Sequence, residues 1–478
     1  MKKIMTRLLS LVLLGTFIPS YVLAADWNLD NGDITVSATV ESQTVSQAGG
    51  SPTVDNNPVI TSSGTTNNTV TITAEKNATA NVTLENVNID TGKTGGAAIT
   101  TSGEGNVNIE LNGTNTVQSG NTHAGVEKKG DGTLTITDED KDGSLTANGG
   151  GVGGAGIGGG YGDSGSNITI EGGKVKAIGG FAGAGIGGGA GGNGSNITIS
   201  DGMVEATGGF DGAGIGGGAG GGSGSNITIS DGKVTATGGG AGAGIGGGYV
   251  GSGKGITIEG GEVTAQGDIG GAGIGGGASG TGSDVTISGD AQVKVQGGTT
   301  SGDWHKGAAI GNGGTRTTEG NEVSPNTSDL TVEGFIQIYE PGKNINTDTP
   351  DKTIEGQKGD HSWNAGEVTT ETVPESKAAA YWVCGPEGQS IPYQAQQKDG
   401  VLTVTVQADT ASLRGTTGSL GQLEAQGIAE IRFVTKGAQS AFTLADLLAS
   451  GTGSFTLTHE AETVTFTLAE KDISGILK

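Results

Sequence analysis

The residues most able to do chemistry fall into two groups. The first is TDEDKDGS at 137–144, where Asp138, Asp140, Asp142 and Gly143 follow D-x-D-x-D-G spacing. Alternate carboxylates in that pattern can converge on one centre, and the glycine permits the sharp turn of a calcium loop. The bidentate acid usual at the twelfth position is missing, since Gly149 stands there. Asp138, Asp140 and Asp142 are therefore candidate calcium ligands that would need oxygens from elsewhere in the fold; the alternative is a solvated acidic loop. The second group is aromatic: Tyr161, Phe181, Phe210, Tyr249 and Trp304. Exposed rings have apolar faces that can stack on sugars, and these five are the candidate carbohydrate-binding residues. They could instead cover turns. Asp303, His305 and Lys306 flank Trp304 in GDWHKG and form the most cluster-like polar group, although one histidine is more often structural than catalytic.

Other patterns are weaker. G-x-G-x-x-G spacing occurs at Gly154, Gly156 and Gly159 and recurs downstream, whereas a dinucleotide fingerprint opens a helix once per site. The formal charge is −25, and arginine occurs only at 7, 316, 414 and 432. That argues against nucleic acid as a partner, because phosphates are held by clustered Lys and Arg. The one cysteine, Cys384, makes no internal disulfide. Lys2, Lys3 and Arg7, an apolar run from Leu8 to Ile18 and Val22-Leu23-Ala24 read as a secretory signal peptide over 1–24, so a secreted or cell-surface location is expected, with no membrane span.

The elements that carry these residues are set by a repeat. Glycine occurs 99 times in 478 residues, a load that by composition alone suggests disorder. Periodicity says otherwise. The isoleucine of each AGIGGG falls at 157, 186, 215, 245 and 274. NITI-like segments begin their apolar alternation at Ile168, Ile197, Ile227, Ile256 and Val285, and a third marker falls at Val175, Val204, Val234, Val263 and Val293. All three step by 29 or 30. Three short alternating segments per copy, separated by glycine or Asn/Asp turns, predict three short strands per coil of a parallel β-helix. Degenerate copies extend the array over 65–338, after N-terminal cap strands in 25–64. A linker or long loop is expected over 339–376. A small β-rich domain over 377–478 then has strands in VLTVTVQ, AEIRFVT, SFTLTH and TVTFTL and a short helix in LADLLAS.

Columns follow from the register. Asn167, Asn196 and Asn226 begin N-I-T sequons and read as a stacked asparagine ladder at a turn. Thr169, Thr198, Thr228, Thr257 and Thr286 form an outward column. The acids Glu171, Asp201, Asp231, Glu259 and Asp290 are staggered and read as solvated turn residues.

The succession DWNLDNGDITV, NVTLENVNI, GGAAIT, NVNIELNGTNTV, TLTIT, GSLTANGG and GGAGIGGG resembles secreted, glycine-rich β-helix proteins of Gram-positive gut anaerobes, described as carbohydrate-binding-domain or adhesin-like surface proteins. The resemblance covers about residues 26–338. It implies a right-handed parallel β-helix and an extracellular role, and it brings no catalytic residues. The chain shows no cell-wall sorting signal of the kind anchored members carry. Taken together, the expectation is a non-enzymatic protein that presents a rigid surface to a polysaccharide or host-surface glycan. Two other classes remain open: a polysaccharide lyase or hydrolase on a β-helix scaffold, and a structural spacer presenting the C-terminal domain. The lyase reading is weakened by the lack of arginine in the central copies.

Overall fold

The computed structural model describes residues 26–321, 330–332, 334–355, 381–384, 393–398, 400–406, 408–417, 423, 427–451, 454–460, 463–469 and 471–478. The signal-peptide expectation lies outside them. The described residues between 26 and 355 form a parallel β-solenoid with three sheets of 11, 10 and 12 strands. Each copy supplies one strand to each sheet. In one coil these are Ile186–Gly187 in the third sheet, Gly194–Ile199 in the first and Met203–Thr207 in the second.

Side-chain alternation explains why the coils stack. Ile197, Ile199, Val204 and Ala206 point inward and are fully buried. Their equivalents pair in register with the next coil: Ile197 with Ile227, Val204 with Val234, Ala206 with Ala236. The isoleucines Ile157, Ile186, Ile215, Ile245, Ile274 and Ile310 likewise make one unbroken buried column. A single coil has no second layer to bury this face, so neighbours must supply it. The third-sheet strand is two residues long because glycine follows the isoleucine in a left-handed conformation: Gly216 has φ +133°, and a Cβ there would lie 2.0 Å from the Gly246 carbonyl oxygen. Glycine lets the chain bend sharply and bring successive coils into backbone contact.

The ends are closed differently. Strands Asp26–Asn28 and Ile34–Ala38 already belong to the first and third sheets, and Gln43–Gln47 folds back antiparallel on the latter. The solenoid thus begins inside the segment expected as cap. At the other end Lys352–Glu355 pairs antiparallel with Phe335–Tyr339, so part of the segment expected as linker is a closing strand of the second sheet. It protects an edge that would otherwise present free backbone groups.

The C-terminal region has its own core. Strands 382–384, 410–416, 454–460, 463–468 and 471–472 make one sheet, and 393–398, 401–406, 430–434 and 439–443 make another. Phe433, Phe442, Phe455 and Phe466 fill the space they enclose. The helix Leu444–Ala449 begins where Thr443 Oγ1 accepts from the Asp446 N–H at 3.0 Å, a side-chain N-cap.

Candidate functional site

Two glycine-rich turns flank the short third-sheet strand in the coils from Ile157 to Ile274, and they touch. The turn after the strand donates to the turn before the strand one coil back: Tyr161 N–H to the Thr122 carbonyl at 2.7 Å, Ala190 to Gly153 at 2.7 Å, Ala219 to Ala182 at 2.8 Å and Tyr249 to Asp211 at 2.8 Å. Together they form one narrow edge running along the solenoid. All five aromatic residues between positions 150 and 306 emerge from this edge: Tyr161, Phe181, Phe210, Tyr249 and Trp304. Tyr161, Phe181 and Phe210 are 59%, 61% and 57% exposed, which rules them out as core residues. Tyr249 and Trp304 are half-buried.

The rings are not equivalent. Phe181 and Phe210 stack on each other, with centroids 5.2 Å apart and planes 4° from parallel. They therefore use their facing surfaces on one another and leave edges and outer faces to solvent. Tyr161 stands three rungs from Tyr249, about 14 Å along the axis at the usual strand spacing, with no ring contact among the described residues. Tyr249 meets Trp304 edge-on at 5.7 Å. Trp304 also carries the Arg316 guanidinium 5.3 Å from its ring centre, a cation–π arrangement.

Trp304 and Arg316 come from the copy where the repeat breaks. Ile310 follows Ile274 by 36 positions, against 29 or 30 between the five central copies. The extra residues lengthen the turn before the strand. Ser301 and Trp304 close its tip by exchanging backbone hydrogen bonds of 3.2 and 3.0 Å around Gly302, which has φ +58°. The following turn is braced by Thr315 Oγ1, which accepts from the Thr317 and Thr318 N–H groups, and His305 N–H ties the two turns by donating to the Thr315 carbonyl at 3.0 Å. Between them opens a groove of about 440 Å³ lined by Thr300, Gly302, Asp303, Trp304, His305 and Arg316. Lys306 points elsewhere: its ammonium sits 3.3 Å from Glu340 and 3.7 Å from Glu319, and the hydrogen bond it donates to Glu340 pushes its pKa up. The sequence singled out Trp304, Asp303 and His305 but not Arg316; the available signal was the lengthened repeat step, since insertions in solenoids map to loops on one face.

The acidic group is arranged differently from expectation. Glu110, Asp138 and Asp140 place one carboxylate oxygen each within 4.8 Å of one another. Glu110 comes from the preceding coil, where it pairs in register with Thr137. Asp142 is not in this set. Its Oδ1 accepts weakly from Gly113 N–H at 3.4 Å, and it stands beside Asp140. Desolvation and the neighbouring Asp142 and Asp138 carboxylates push the Asp140 pKa up. Thr137 ends the first-sheet strand, and Asp138 Oδ1 accepts from Gly143 N–H at 3.1 Å. Three carboxylates could share a hard cation, with main-chain oxygens or water supplying the rest of the six to eight ligands calcium takes. This cluster lies on the corner between first and second sheets, away from the glycine edge.

The remaining columns are structural. Asn196 Nδ2 donates to Asn167 Oδ1 at 2.8 Å and Asn226 Nδ2 to Asn196 Oδ1 at 2.7 Å, with all three at φ 51–57°. Asp201 and Asp231 accept from the next residue's N–H in exposed turns. Gly154, Gly156 and Gly159 lie at a solenoid corner with no helix following. A buried acid missed by sequence is Glu127, 1% exposed, whose carboxylate meets His123 Nδ1 and Lys129 Nζ at 2.6 Å.

A family model described as a beta helix repeat matches residues 168–190, 197–219, 227–249 and 256–278. It is a parallel β-helix protein. The matched segments each run from a first-sheet strand through the second sheet to the glycine turn after the third, so this β-helix takes its repeat unit from the same residues that build the aromatic edge. Comparison with curated proteins and with solved structures gave no significant match.

Proposed function

We propose that the protein is a non-enzymatic, secreted or surface-exposed glycan-binding protein, and that the glycine edge is its binding surface. The observation that carries this reading is the confinement of all five central aromatic residues to that edge. Glycine leaves the ground between the rings bare, so an extended polymer can lie close to the backbone. The rung repeat of about 4.8 Å is close to the length of one sugar unit in an extended glycan. A wet, shallow surface of this kind suits sugars, which bind through stacking and water-bridged hydrogen bonds.

The test is a glycan array probed with the full chain, followed by titration of any hit. Trp304→Ala should weaken binding about fivefold to tenfold, and Phe181→Ala with Phe210→Ala should weaken long oligosaccharides more than short ones. Binding to no glycan would sink the proposal. Release of new reducing ends or unsaturated products would replace it with the lyase or hydrolase reading.

A further inference from the structure

The groove between the lengthened turns differs from the rest of the edge in its charge. Several lysines of the solenoid are neutralised across rungs: Lys176 on Glu205 at 3.2 Å, Lys233 on Glu262 at 3.0 Å, Lys254 on Asp284 at 3.3 Å. Lys306, next to the groove, is held by two glutamates. Arg316 has no carboxylate within ion-pair distance among the described residues. It is exposed, it is the one arginine between residues 8 and 413, and it is held on the face of Trp304. An unpaired guanidinium presents a planar fork of donors that matches a carboxylate.

From this we infer that the groove takes a carboxylate-bearing sugar of the hexuronate class, with the apolar face of the pyranose against Trp304 and its carboxylate on Arg316. The inference rests on the glycan-binding reading and specifies the ligand. Asp303 and Thr300 line the same groove and would take hydroxyls, which an acidic pyranose also carries. The chain's formal charge of −25 opposes a polyanion at long range. Screening over about 8 Å at physiological salt removes most of that repulsion, while a contact ion pair with a guanidinium is screened far less. Local contact therefore decides the preference.

The experiment is calorimetric titration of the full chain with matched oligosaccharides: galacturonate, glucuronate and mannuronate oligomers against their neutral hexose counterparts. The acidic member of at least one pair should bind at least about tenfold tighter, the gain typical of a hydrogen bond to a charged group. Arg316→Gln should bring that member down to its neutral counterpart, Arg316→Lys should restore only part of the gap, and circular dichroism should show both variants folded. Trp304→Ala should weaken acidic and neutral members together. Equal binding of every pair by the wild-type chain, or a preference that survives Arg316→Gln, overturns the acidic-sugar inference and leaves glycan binding standing. No binding to any member, acidic or neutral, overturns both.

Discussion

Gly216 and Gly191 look alike in the sequence, each within a run of glycines, yet the structure separates them. Both have positive φ, +133° and +75°. A Cβ on Gly191 would meet nothing within 4 Å, whereas one on Gly216 would strike the Gly246 carbonyl oxygen at 2.0 Å. Gly191→Ala should cost about 1–2 kcal/mol, the backbone penalty alone. Gly216→Ala adds a clash with the next coil's main chain and should cost about 3 kcal/mol or more; equal shifts in denaturant midpoint would contradict this. The asparagine ladder was legible because Asn167, Asn196 and Asn226 share one register and one turn type. The carboxylate cluster was only partly legible. Asp138 and Asp140 are close in sequence, but Glu110 reaches them across a rung, and no local pattern marks a partner 28 positions away.

At the level of the strand and coil, the repeat period carried nearly all the information. Each marker column found in the sequence is a hydrogen-bonded, in-register column in the structure. A coil is thus an exchangeable unit. Deleting residues 187–215 removes 29 residues and joins Ile186 to Gly216, restoring every column. That variant should keep a cooperative melt and a β-type circular dichroism spectrum, with Tm lowered by a few degrees. Deleting 187–201 joins a third-sheet strand to a second-sheet position and should abolish cooperative melting. The copy ending at Ile310 was less legible because its turns lengthen. Once a turn exceeds the repeat, spacing no longer places its residues, and Arg316 meets Trp304 only through the bracing of Thr315 and His305.

Over the whole molecule, the two cores are distinct sets of side chains and should respond separately to pH. His459 is fully buried in the C-terminal core, between Thr435 Oγ1 at 3.1 Å and Ser440 Oγ at 3.0 Å. Burial holds its pKa below the ordinary value. The unfolded chain takes up a proton near pH 6.5 while the folded chain still does not, so C-terminal stability is at its full value above about pH 6.5 and falls as pH drops below it. The C-terminal melting transition should shift down between pH 7 and pH 5, and His459→Gln should flatten that dependence; an unchanged slope would remove His459 as the cause. By itself the sequence determined the parallel β-helix, its period, which side chains face inward and the presence of a second β-rich unit. Those follow from local alternation and a repeat that acts identically in every copy. Only the tertiary structure decided that the aromatic residues share one edge, that Phe181 and Phe210 stack on each other, that Glu110 joins the acids and that Arg316 stands over Trp304. These are relations between coils and between irregular turns, where position depends on the angle at which each turn leaves the stack and not on the spacing of residues along the chain.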